Sequence, residues 1–191
     1  MKNDFLKFLV LALVPGILPV SSIAQQLSDS VPLKVIIIRH GEKPDTGFNL
    51  SCEGFQRALV LPQVFTPLFG VPDYTYVPVI RTGKSTNSVR MYQTVTPFAV
   101  KHDLIINSKF DEKDSAGLAA DILKKKGTVL IVWDRRNIPP IARNLGVKNK
   151  DLNWSDNDFD SIWIIDFIKT KKGRLRAKLS MAKENIIPQC K

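Results

Sequence analysis

Three adjacent residues, Arg39-His40-Gly41, carry the side chains best suited to chemistry. They follow Val35-Ile36-Ile37-Ile38, a run of β-branched apolar residues. Arg39 offers a planar guanidinium fork that matches phosphate oxygens. His40 is one of only 2 histidines in 191 residues. Near neutral pH its imidazole can act as a nucleophile or a proton carrier. Gly41 lets the backbone turn sharply or approach a ligand closely. Together the three suit phosphoryl transfer through a phosphohistidine. An isolated Arg-His-Gly would more often be a salt-bridged arginine beside a structural histidine, so the context has to decide.

A second polar group, Asp134-Arg135-Arg136-Asn137, follows another apolar run, Thr128 to Trp133. Both runs read as buried strands, the first over Lys34 to Ile38. Helical spacing is found from Ser51 to about Leu61, with Pro62 near its end, and from Ser88 to His102. It recurs from Ala116 to Lys125 and after Asn137, an expected cap with prolines in the first turn. Tyr74 to Ile80 is a candidate strand, and Pro78 predicts an edge position or a bulge there. "SIWIIDFI" and "RLRAKLS" flank "KTKKG" as an expected hairpin whose last strand lies at an edge. Strands alternating with helices predict an α/β three-layer sandwich with a mainly parallel central sheet. In such sheets ligands bind beyond the carboxyl ends of the strands. The two polar groups sit at two such ends, which suggests one site.

Residues 1–24 read as a secretory signal peptide: Lys2 and Lys7, an apolar stretch from Phe8 to Val20 interrupted by two prolines, and Ser22-Ile23-Ala24 before the cut. The stretch is too short to span a bilayer, which takes about 20 apolar residues. Residues 25–32 form a polar lead-in, and 33–191 one domain with a full core. Export to the periplasm or outside the cell brings oxidising conditions, so Cys52 and Cys190, the only 2 cysteines, are expected to pair. The net charge of +10 favours anionic partners in general. Lys124-Lys125-Lys126 and the segment Lys169 to Lys178 could contact an anionic polymer. They read better as a solvated helix end and a protected edge strand. Without interleaved aromatics no specific nucleic acid is expected.

The stretches around these groups resemble the histidine phosphatase (phosphoglycerate mutase-like) superfamily. "IIIRHGEKP" resembles its signature strand and loop, and "NLSCEGFQRA" (49–58) the segment that follows. "STNSVRMYQTVTPFA" (85–99) resembles a helix start bearing a second phosphate-binding arginine. "VLIVWDRRNIPPIARNLG" (129–146) resembles a branch with Trp-Glu-His-x-Asn-Ile-Pro, and "WSDNDFDSIWII" (154–165) the next strand. The resemblance implies that His40 is the phosphorylated nucleophile and that Arg39 and Arg90 clamp the phosphoryl oxygens. It implies electrostatic stabilisation without a metal or other cofactor.

One departure matters. Where the branch has its second active-site histidine, this chain has Arg135, and Asp134 replaces the glutamate. Arg135 would add a cation for phosphate but exchanges no proton. The leaving group then needs another donor: Asp134, Glu42 or Lys84, with Glu42 favoured because it lies two residues from His40. Lys84 in "RTGKST" belongs to no P-loop, since Pro78 stands where the first glycine is required. His102 reads as structural or exposed. The expectation is an exported phosphomonoesterase acting on an organic phosphate, a phosphorylated small molecule or surface group. The alternative is a catalytically impaired member that binds phosphate or a phosphorylated ligand without turnover. A mutase fits less well, because the short chain has no obvious insertions to retain a substrate.

Overall fold

The computed structural model describes residues 33–81, 88–170 and 175–190. The expected signal peptide, the lead-in, Lys84 and most of the hairpin turn lie outside these residues. The apolar run forms β1 (Lys34–Arg39), whose residues from Val35 onward are buried. The other elements are α1 (Cys52–Phe69), β2 (Tyr74–Tyr76), α2 (Val89–His102), β3 (Ile106–Asn107), α3 (Ser115–Ile122), β4 (Thr128–Trp133), α4 (Ile138–Asn144), β5 (Ser161–Lys169) and β6 (Leu175–Lys183). The strands form one sheet in the order β3-β2-β4-β1-β5-β6. The first four are mutually parallel, whereas β5 runs antiparallel to β1 and makes a hairpin with β6.

Alternation along each central strand sends its side chains to two cores. Val35, Ile37, Val129, Ile131 and Trp133 meet Leu118 and Ile122 of α3 and Ile138 and Ile141 of α4 on one face. On the other, Ile36, Ile38, Leu130 and Val132 meet Leu61 and Phe65 of α1 and Met91, Val95 and Phe98 of α2. This is the expected three-layer arrangement. No helix among the described residues is long and apolar enough to cross a membrane.

Several expected boundaries shift. Helix α1 runs through Pro62 and Pro67 to Phe69. An interior proline costs a helix about 3 kcal/mol. Burial of Leu61 and Phe65 in the second core, worth about 1.5–3 kcal/mol each, offsets much of that. Strand β2 is interior, not an edge, and stops before Pro78. The N–H groups of Val77 and Val79 still donate to Asn107 and Phe110. Pro78 therefore interrupts the ladder between two donors that bond on the same side. Helix α3 ends at Ile122, short of Lys125, because Lys124 and Lys125 donate to carbonyls only three residues back. Such tight turns end an α-helix. Asn137 stands at the N-cap of α4 without a side-chain cap bond; its Nδ2 donates instead to Glu112 Oε1 at 3.2 Å.

The first turn of α1 lies against the loop after β1. Ser51 caps it by accepting from Gly54 N, and Ser51 N donates to Glu42 O at 2.9 Å. Two glycines make this approach possible. A Cβ on Gly54 would meet Glu42 O at 2.2 Å, and one on Gly41 would meet Gly54 O at 2.7 Å. Cys52, the first residue of α1, is disulfide-bonded to Cys190, with a Cα–Cα distance of 6.0 Å across 138 residues of sequence. The expected bridge thus ties the C-terminal tail to the helix that abuts the His40 loop.

Candidate active site

Parallel pairing of β1 and β4 sets Arg39 opposite Trp133, and His40 N donates to Trp133 O at 3.1 Å. The two polar strand ends are therefore neighbours. His40 is only 2% exposed. Its Nδ1 lies 2.7 Å from Gly41 O. A carbonyl only accepts, so Nδ1 carries the proton and Nε2 keeps its lone pair. Burial, reinforced by the Arg39 charge against the pull of the Gly41 hydrogen bond and Asp134, lowers the His40 pKa to about 4. The imidazole is neutral across the physiological range. Its Nε2 lies 3.9 Å from Asp134 Oδ2, too far for a hydrogen bond.

A cavity of about 220 Å³ opens over these groups, lined by His40, Phe48, Ser88, Val89, Arg90, Met91, Glu112, Asp134 and Arg136. Arg90 is steered by the loop before α1: its Nε donates to Asn49 O and its Nη2 to Gly47 O, at 3.1 and 2.6 Å. The Gln-Thr pair after it locks this arrangement. Gln93 accepts from Leu50 N and donates to Asn49 Oδ1, while Thr94 Oγ1 accepts from Gly41 N and donates to Arg90 O. One hydroxyl thus connects the backbone beside the imidazole to the turn that carries the arginine.

Arg39 is buried beside the cavity and does not line it. Its Nη1 donates to Asp156 O and Asp158 O at 2.7 and 3.1 Å, and its guanidinium stacks 3.7 Å from the centre of the Phe159 ring. Burial, followed by the Arg135 charge, lowers its pKa to about 10, so it remains a cation. Its Nε has no hydrogen-bond partner among the described residues.

Three sequence-predicted residues therefore share the cavity: His40, Arg90 and Asp134. Glu42 is placed elsewhere. Its carboxylate accepts from Arg57 Nε and Nη2 at 2.7–3.1 Å, and it lines a separate concavity. Arg57 also reaches Glu184 at 2.8 Å, so this buried guanidinium joins the His40 loop to the C-terminal tail. Arg135 pairs with Asp156 at 2.6 Å and does not line the cavity, whereas the next residue, Arg136, does. His102 Nε2 lies 3.3 Å from Thr66 Oγ1 at the far end of α2, in a structural setting. Two charged residues of the cavity lining, Arg136 and Glu112, carry no site assignment from the sequence. Arg136 lies in the polar group that follows β4, where Arg135 carries the sequence expectation. Glu112, held by Ser88 Oγ and Asn137 Nδ2, lies in a mixed-charge loop with no signal of its own. A larger hollow of about 690 Å³ lies against β6, remote from these groups.

The sequence matches no family model and has no significant match among curated proteins. Solved structures do resemble it. A mycobacterial glucosyl-3-phosphoglycerate phosphatase in complex with inorganic phosphate aligns over 77% of this chain and 95% of its own, at 13% identity and TM-score 0.53. A chain assigned as the phosphohistidine phosphatase SixA from Agrobacterium tumefaciens aligns over 80% and 99%, at 16% identity and TM-score 0.51. A SixA complexed with tungstate aligns over 79% and 97%, at 14% identity and TM-score 0.50. The chain has the histidine phosphatase fold.

Proposed function

We propose that the protein is a phosphatase of the histidine phosphatase superfamily, an exported phosphomonoesterase that works through a phosphohistidine on His40. The observation that carries this reading is the Nδ1–Gly41 O contact of 2.7 Å. It leaves the Nε2 lone pair of a neutral imidazole on a cavity that Arg90 and Arg136 also line. Attack of Nε2 on phosphorus would form the N–P bond and expel the ester oxygen. Arg90 and Arg136 would stabilise the charge on the transferring group, with the Arg39 cation acting from beside the cavity. Arg135, one residue from the cavity lining, would add a fourth cation if it left Asp156. Asp134, next to Nε2, is the favoured group for proton transfer; Glu42 is committed to Arg57. The phosphate-bound neighbour supports an anionic ligand here, and the disulfide supports an oxidising compartment.

The test is phosphate release from an aryl phosphate by the oxidised protein. Turnover that His40→Ala lowers by about 10³-fold or more fits a nucleophile; turnover insensitive to that change sinks the reading. One observation favours the second reading, phosphate binding without turnover: Arg90 and Arg136 share the cavity, with no second imidazole among its described lining residues. An inert parent that gains His40-dependent turnover in Arg135→His would support it.

A further inference from the structure

We propose that Arg136 is an exchange group: it leaves Asp134 for the incoming phosphoryl group, and Asp134 thereby becomes the proton donor to the leaving oxygen. The inference deepens the phosphatase reading and rests on it.

The geometry points to such an exchange. Asp134 Oδ1 accepts twice from Arg136, from backbone N at 3.0 Å and from Nε at 2.9 Å. Its other oxygen, Oδ2, is the one near His40 Nε2. The Asp134 side chain is 16% exposed and that of Arg136 70%. Arg136 Nη2 lies 3.9 Å from Glu112 Oε1, and all three side chains line the same cavity. A solvent-facing guanidinium is thus held at the cavity by two carboxylates, one of them beside the candidate nucleophile.

In this state Asp134 cannot donate. Burial pushes its carboxyl up, but the Arg136 side-chain and backbone hydrogen bonds more than offset that and hold it below its ordinary value. An ionised Asp134 beside Nε2 would also repel the phosphoryl group. Phosphoryl oxygens, however, are a better acceptor set for a guanidinium fork. If Arg136 turns to them, Asp134 loses its Nε hydrogen bond, keeps only the backbone one, and gains an anion nearby. Both changes favour the neutral acid, so it takes up a proton from solvent.

The step then balances. Nε2 forms the N–P bond as the P–O bond breaks, and Asp134 gives its proton to the departing oxygen. Water next attacks the phosphohistidine and passes its proton to Asp134. The N–P bonding pair returns to Nε2. The titratable and charged groups around Asp134 are His40 and Arg39 at the end of β1, Arg90 on α2, Glu112 before α3, and Arg136. Of these, His40 also offers the incoming proton a site, at Nε2, so the test must separate it from Asp134.

Inorganic sulfate, which carries no titrating proton near pH 6, is a suitable probe. Calorimetry on the oxidised full chain in buffers of different ionisation enthalpy counts protons taken up on binding. The expected result is uptake of roughly one proton per sulfate in the parent. Uptake should be lost in Asp134→Asn, which keeps the side-chain shape. It should fall in Arg136→Gln, where the carboxyl is released before sulfate arrives. Unchanged uptake in Asp134→Asn, or saturable binding without uptake in the parent, overturns the exchange and leaves the phosphatase reading standing. No saturable binding in any of the three sinks both.

Discussion

Arg39 and Trp133 face each other in register across β1 and β4. That pairing sets His40 and Asp134 side by side, although 94 positions separate them in the chain. It also makes the candidate site depend on the sheet, because an error of one residue in a strand's register would turn its side chains to the opposite face.

The buried imidazole predicts an unusual acid limit. With a pKa of about 4 in place of 6.5, His40 stays neutral and nucleophilic through pH 5–6. An NMR titration of its ring should show no midpoint near 6.5. Stability should also fall as pH drops from 6.5 towards 4, because the unfolded chain binds a proton that the folded chain refuses. The loss from His40 is about 3 kcal/mol by linkage. A ring that titrates near 6.5 would remove the basis for both expectations.

Reduction should expose how much the tail tether contributes. A bridge spanning 138 residues stabilises by about 3–5 kcal/mol, mainly by restricting the unfolded chain. Thermal unfolding with and without a reductant, and in Cys190→Ser, should show a matching fall in Tm. An unchanged Tm would show that the bridge does not act by restricting the unfolded chain.

Gly54→Ala should damage the site from outside the cavity. Its new Cβ would strike the backbone of Glu42, with N at 2.6 Å and O at 2.2 Å, and that backbone has no free rotamer with which to yield. The expected loss is about 1–3 kcal/mol of stability from overpacking. In the folded fraction, sulfate affinity should also drop, because the Arg39-His40-Gly41 loop must shift. Affinity equal to the parent's after correction for folding would show that α1 moves and the loop does not.

Much of this was legible locally. The buried runs 34–38 and 128–133 announced strands because uninterrupted β-branched residues suit positions covered on both faces. The hairpin, its charged edge and the Cys52–Cys190 pair were equally readable. Proline misled twice, at Pro62 and Pro78: as a local signal it reports a missing N–H, not whether tertiary burial outweighs that loss or which neighbour would have used the donor.

By itself, the sequence determined which residue types could handle a phosphoryl group, and that two strands end in them. Only the tertiary structure decided which of those residues meet. It made β1 and β4 neighbours, turned Arg136 rather than Arg135 to the cavity, committed Glu42 to Arg57 and brought in Glu112 from an unremarkable loop. The physical reason is range. Apolar period and turn chemistry act over a few residues, whereas ladder register, ion pairing and burial depend on partners that folding alone brings together.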